Sequence, residues 1–186
     1  SKRSLVPLVV LVTRLMGASA ATPTASQRLP PLDPKTSPLF SAVALNDNLA
    51  LRHRLVMAPL TRMRADDDRT PNRDMAEYYS QRTTPGGLLI TEGIAVSTEA
   101  HGYPRTTGLY SDAQQEGWAR VVEAVHAKGG LVVAQLWHCG RASHPSLQPQ
   151  LDAPPAPSAI AASGRALCSN FTWGARPTPR EMSIDD

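Results

Sequence analysis

An α/β fold of parallel strand–helix units is predicted by three observations. Three apolar runs too short for helices, at 55–58, 88–91 and 131–137, each lead into polar residues. Helix-like segments fill the two intervals between them, and the second carries an apolar stripe of helical period. The joins from helix to strand are short and those from strand to helix are long, and in parallel α/β proteins the long loops at the carboxyl ends of strands carry function. Strand starts at 55, 88 and 131 suit the repeat of about 30 residues in a (β/α)8 barrel. The alternative is a doubly wound sheet, but no GxGxxG follows the first strand and no phosphate-binding loop motif occurs. The prediction is therefore the N-terminal portion, about three βα units, of a (β/α)8 TIM barrel.

The stretch Leu55-Val-Met-Ala-Pro-Leu-Thr-Arg62 begins this pattern. Four apolar residues run into a proline, which cannot continue a ladder, and a hydroxyl and a guanidinium follow. A lead-in segment from Pro38 to Leu51 precedes it, with a turn signal at Asn46-Asp-Asn48. After it, 64–72 is a polar loop whose three aspartates, Asp66 to Asp68, are read as solvated rather than as a cation site.

Asn72 or Asp74 caps the first helix, which runs to about Arg82, and Pro85-Gly-Gly87 forbids its continuation. The second strand, Leu88 to Thr91, is read as ending at Glu92 and Gly93, followed by a Gly- and Thr-rich loop from His101 to Tyr110. Ser111 or Asp112 caps the second helix, with Gln114 or Gln115 positioned for a capping box. Trp118, Val121, Val122 and Val125 form its apolar stripe, and Gly129-Gly130 stops it. The third strand, Leu131 to Trp137, follows at once. The last forty or so residues read as a long loop with a short hairpin around Ala166 to Trp173.

Composition excludes several classes. With 41% hydrophobic and 19% charged residues in 186, the chain is a soluble globular type. Its net charge of +3 owes much to Lys2, Arg3, Arg14 and Arg28, and no Lys/Arg run or basic–aromatic interleaving marks a nucleic-acid surface. Two cysteines, Cys139 and Cys168, make no disulfide framework. With His138 and His144 they match no metal-ligand spacing, so no metal is assigned.

Residues 1–37 read as a leader. Lys2 and Arg3 precede the apolar run Leu5 to Val12, and Ala18-Ser-Ala20 offers a cleavage pattern. Secretory signal, organellar transit peptide and disordered extension of a cytoplasmic protein stay open. The run is too short to span a bilayer. Residues 38–186 form the second region, and no oligomeric state is assigned.

The strand ends present Thr61 and Arg62, then Glu92 and Gly93, then Gln135 and His138. Amide, hydroxyl and backbone groups around a glycine suit a flat, polar-edged cofactor better than a metal or a nucleophile triad, since a carboxamide offers donor and acceptor together. Ordinary polar caps on barrel strands are the alternative.

Together, Arg54-Leu-Val-Met-Ala-Pro-Leu-Thr-Arg62, Tyr78-Tyr-Ser-Gln-Arg-Thr-Thr-Pro-Gly-Gly87, Leu89-Ile-Thr-Glu-Gly93, Gly102-Tyr103, Val125-His-Ala-Lys-Gly-Gly130 and Gln135-Leu-Trp-His-Cys-Gly-Arg141 resemble the old yellow enzyme family, particularly its 12-oxophytodienoate reductase-like branch. The resemblance covers about 38–186. It implies an FMN-dependent barrel that takes hydride from NADPH or NADH and delivers it to the β-carbon of an α,β-unsaturated carbonyl compound. By the family pattern Pro59, Leu60 and Thr61 lie against the flavin ring, with the Thr61 hydroxyl near O4. Gly93 and Gln135 approach its edge, and Trp137 resembles a pocket-wall aromatic.

The family's substrate-anchoring pair, its proton-donating tyrosine and its phosphate-binding groups come from later strands. No catalytic residue is therefore assigned here, and Tyr103 and Tyr110 match no family proton donor. The chain is expected to be the N-terminal part of a longer flavoprotein. The alternative is a truncated, non-catalytic fragment unable to hold FMN alone, with the edges of its first and third strands open.

Overall fold

The computed structural model describes residues 9–11, by backbone alone, and 33–184. Lys2, Arg3 and 18–20, on which most of the leader reading rests, lie outside the described residues. Among the described residues ten strands and two α-helices follow in order. They are β1 Val9–Leu11, β2 Val43–Asn46, β3 Leu49–Leu51, β4 Leu55–Met57, α1 Arg73–Gln81, β5 Leu88–Ala95, α2 Asp112–His126 and β6 Leu131–Trp137. The four short ones after them are β7 Pro155–Ala156, β8 Arg165–Leu167, β9 Trp173–Ala175 and β10 Arg180–Glu181.

The central sheet has the order β1-β4-β5-β6, and every neighbouring pair is parallel. The expected strand, helix, strand, helix, strand sequence is therefore present. The sheet is open, without barrel closure among the described residues. Its β4 edge, expected to be free, is paired by β1, which comes from the apolar run read as part of the leader.

Local chemistry sets the helix boundaries. The Asn72 side chain accepts from the Met75 N–H and caps α1, while Ser111 accepts from the Gln114 N–H and caps α2. Each takes one of the backbone donors that a helix start leaves unpaired. Beyond α2 the chain turns at Gly129, whose φ of 71° suits a residue without Cβ.

Both helices pack on one face of β5. Met75 and Tyr79 of α1, Trp118, Val121 and Val125 of α2, and Leu89 and Ile94 of β5 form the main core together with Ala65. The lead-in segment is an antiparallel hairpin, β2 with β3, turning through Asp47 and Asn48. It buries Leu51 against Val56 and Leu88, covering the amino ends of the sheet strands. The expected C-terminal hairpin is β8 with β9, registered from Arg165↔Ala175 to Leu167↔Trp173.

The second strand differs from its reading. β5 continues through Thr91, Glu92 and Gly93 to Ala95, and 91–95 are all buried. Glu92 and Gly93 thus lie within the strand and not at its end. A glutamate reads as a strand terminus because it is seldom buried without a partner. Here Tyr79 supplies one.

Candidate functional site

The carboxyl ends of β4, β5 and β6 form one edge. Pro59, Leu60, Thr61 and Arg62 follow β4, and all four are half-buried. On the other side of β5, Gln135 is exposed on β6 and Trp137 is half-buried at its end. Tyr103, from the loop after β5, stacks on Trp137 with centroids 6.0 Å apart and planes 22° apart. The Trp137 Nε1 is buried and unpartnered. A Cβ on Gly93 would run into the six-membered ring of Trp137. The missing side chain at 93 therefore lets the indole lie flat on the strand.

Across β5 and β6, Ile90 pairs with Val133 and Gly93 with Gln135. Thr91 and Glu92 thus oppose the single residue Ala134, which makes a β-bulge in a parallel pair. Side-chain direction alternates along a strand, so a bulge changes which residues share a face beyond it. This one sets Gly93 opposite Gln135. Of the five residues assigned from the family pattern, these two are directly paired, and Pro59, Leu60 and Thr61 stand at the end of the adjacent strand.

Hydroxyl groups stitch the bulge. The Gln135 N–H donates to Thr91 Oγ1 at 3.0 Å, and the Thr91 hydroxyl donates to the Glu92 carbonyl at 2.8 Å. On the helix side the Glu92 N–H donates to the Tyr79 hydroxyl at 2.8 Å, and that hydroxyl lies 3.4 Å from Glu92 Oε2. Glu92 is 1% exposed, and its Oε1 is buried with no partner. Burial pushes its carboxyl up to about 7, although the Tyr79 hydrogen bond and the Arg62 charge pull the other way.

Behind the edge, a pocket of about 410 Å³ is lined by Arg62, Arg64, Asn72, Tyr78, Glu92 and Arg105, among others. The Tyr78 ring carries two cation–π contacts, from Arg62 at 3.9 Å and Arg82 at 3.7 Å. A neighbouring groove of about 480 Å³ is mainly apolar, with Phe40, Leu55, Met57, Leu60 and Leu89 among its lining.

The loop that carries Tyr103 is held by a buried network. His101 Nδ1 meets Thr106 Oγ1 at 3.1 Å and its Nε2 meets the Tyr110 hydroxyl at 2.9 Å. Ser143 Oγ and Gln148 Nε2 both donate to the His101 carbonyl. Burial, aided by Arg69, pulls the imidazole down to about 4, so it stays neutral at physiological pH. Tyr110 thus has a partner within the loop. His138 is exposed, and its Nδ1 accepts from the Gly140 N–H in a local turn. Burial raises the Cys139 thiol to about 11, unsuited to a nucleophile. Among the described residues no group of three or more His, Cys, Asp or Glu is placed to hold a metal ion.

Sequence reasoning missed Thr91, Tyr79 and the true place of Glu92. The available signal was an acid with apolar residues on both sides, Leu-Leu-Ile-Thr-Glu-Gly-Ile-Ala. Such an acid is either a strand end or a buried group with a partner.

The donor set fits a flavin ring. A flat heteroaromatic with an apolar face and a hydrogen-bonding edge needs a close backbone approach and groups that both donate and accept. The Thr61 hydroxyl and the Gln135 carboxamide are groups of that kind, whereas Gly93 is already covered by the Trp137 ring.

The sequence profile described as the NADH:flavin oxidoreductase / NADH oxidase family matches 38–186. The chain is similar to 12-oxophytodienoate reductase 7 of Oryza sativa subsp. japonica, 45% identical over 154 residues, covering 82% of this chain and 39% of that protein. It is also similar to flavin oxidoreductase hxnT of Emericella nidulans, 43% identical over 162 residues, covering 85% and 40%. Among solved structures, morphinone reductase in complex with tetrahydroNAD superposes with a TM-score of 0.71 at 45% identity, over 80% of this chain and 42% of that one. The old yellow enzyme homologue from Zymomonas mobilis gives 0.74 at 38% identity, over 80% and 41%. The chain thus spans about two-fifths of the length of the relatives it matches, and the parallel α/β sheet corresponds to part of their structures. From residue 38 onward, the chain belongs to the NADH:flavin oxidoreductase, or old yellow enzyme, family.

Proposed function

We propose that this chain supplies one wall of the FMN site of an oxidoreductase that reduces the C=C bond of α,β-unsaturated carbonyl compounds. The reading treats the chain as part of a longer protein. When bound, FMN supplies hydride transfer, from NADPH or NADH to the β-carbon of the acceptor. The observation that carries the reading is the bulge that sets Gly93 opposite Gln135, in a chain of a flavin-dependent family.

In this reading the Thr61 hydroxyl tunes the ring through a hydrogen bond, and Gln135 donates to and accepts from its pyrimidine portion. Pro59 and Leu60 pack on the ring. Neither Tyr103 nor Tyr110 delivers a proton. The relatives that support the reading include reductases of 12-oxophytodienoate and of morphinone by name.

The test is anaerobic mixing of the FMN-loaded protein that carries this chain with NADPH or NADH, then with a cyclic enone. Flavin colour is expected to bleach and then return, with saturated ketone as product. Bleaching without return on enone would remove the C=C reduction, and retention of no flavin would remove the FMN site.

One observation favours a second reading for these 186 residues acting alone. Val133 is 45% and Leu136 58% exposed on β6, which leaves an apolar side chain uncovered on each face at the margin of the sheet. A fragment in this state holds no FMN and has no activity. Purified alone, it is expected to be colourless and prone to aggregate, whereas a yellow monomer would contradict this reading.

A further inference from the structure

We infer that Thr91 is a positioning residue, whose hydroxyl holds the β5 bulge and so sets Gln135 opposite Gly93. The consequence for flavin binding rests on the reading of Gln135 given above.

The register states the problem. Without an extra residue, continuing from Ile90↔Val133 would bring Gly93 opposite Leu136 and Glu92 opposite Gln135. An apolar side chain would then stand where the carboxamide now does. The bulge avoids this but leaves backbone groups without their usual ladder partners. Buried groups of this kind must be satisfied from elsewhere.

Thr91 supplies the partner on the β6 side. Its Oγ1 accepts from the Gln135 N–H at 3.0 Å and donates to the Glu92 carbonyl at 2.8 Å, so one hydroxyl ties the guest strand to the bulged residue. Thr91 is 2% exposed, so on the Glu92 side of the bridge water has little access to substitute. Its β-branch restricts χ1 and keeps the oxygen aimed across the ladder. Tyr79 completes the arrangement from the helix side by accepting from the Glu92 N–H at 2.8 Å. Valine has nearly the shape of threonine but can neither accept nor donate, whereas serine keeps the hydroxyl.

The experiment compares Thr91→Val, Thr91→Ser and Gln135→Leu in the protein that carries this chain. Amide hydrogen exchange at Gln135 is read without FMN, and the FMN dissociation constant is read separately. Thr91→Val is expected to speed Gln135 exchange about tenfold and to weaken FMN by a similar factor, the size of one lost hydrogen bond. Thr91→Ser should restore both to within about threefold on the same scale. Unchanged Gln135 exchange in Thr91→Val overturns the inference. So does unchanged FMN affinity in Thr91→Val while Gln135→Leu weakens it. Faster exchange in Thr91→Val with full FMN affinity in Gln135→Leu upholds the hold of Thr91 on the register and sinks the flavin reading of Gln135 instead. If Thr91→Val does not fold, Thr91→Ala against Thr91→Ser gives the same comparison.

Discussion

The Tyr79 hydroxyl lies 2.8 Å from the Glu92 backbone nitrogen and 3.4 Å from the Glu92 carboxyl, so one phenol from α1 meets both the main chain and the side chain of a buried acid in β5. Tyr79 is itself 1% exposed and packs in the core beside Trp118, with ring centroids 6.1 Å apart. Helix packing thereby fixes the strand bulge on which the candidate site depends. The same burial, with the Glu92 charge, drives the phenol pKa well up, so Tyr79 stays protonated.

Tyr79→Phe should destabilise the fold by about 1–3 kcal/mol, the cost of leaving a buried N–H without an acceptor. Urea denaturation measures this as a lower midpoint at unchanged slope. A midpoint equal to that of the parent would show that the phenol does not hold Glu92.

The pH dependence of stability carries two opposed signatures. Glu92 has its folded pKa raised from 4.5 to about 7, so its contribution is complete below pH 4.5 and is lost as pH rises through about 7. His101 has its folded pKa lowered from 6.5 to about 4, so its contribution is complete above pH 6.5 and is lost as pH falls through about 4. Between 4.5 and 6.5 the two slopes oppose each other. Glu92→Gln separates them, because the amide mimics the protonated acid. Its stability relative to the parent should improve as pH rises from 4.5 past 7, by on the order of 3 kcal/mol at most. A parent-to-variant difference that stays flat over this range would remove Glu92 as a buried titrating group.

Gly93→Ala should push the Trp137 indole off the strand, since the new Cβ meets the ring. Overpacking of this kind costs about 1–3 kcal/mol. The near-ultraviolet circular dichroism of the tryptophans should change. Adding Trp137→Ala should recover part of the loss, giving a coupling between the two sites. Additive effects would contradict the contact.

Thr61→Ala, in the FMN-loaded protein, should alter flavin reduction by NADPH more than it alters affinity for the enone. Rapid mixing with each partner separates the two half-reactions. An unchanged flavin potential together with an unchanged reductive half-reaction would take Thr61 out of its role.

Much of the architecture was legible because it is written in local chemistry. The apolar stripe from Trp118 to Val125, the Ser111 cap and the Gly129-Gly130 stop placed α2 without any long-range information. The Asn46-Asp-Asn48 turn signal marked the turn between β2 and β3, although nothing local said that they would pair or that Leu51 would cover the amino ends of the sheet strands. Thr61, Gly93 and Gln135 were assigned through family resemblance, which carries identity but not register. The bulge escaped because it depends on two partners remote in sequence. Thr91 meets Gln135 across the ladder and Tyr79 meets Glu92 from a helix, and neither pair lies within a period that a strand or helix pattern reveals. The long run after β6 also hid a two-residue parallel pair, β7 with β10, too short to have a pattern.

Mapping amide hydrogen exchange with and without FMN, in the protein that carries this chain, decides whether the chain forms one wall of an FMN site. FMN is expected to slow exchange at 60–61, 91–93 and 133–137 and to leave the β2–β3 hairpin unchanged. FMN bound with unaltered exchange in all three segments would contradict it.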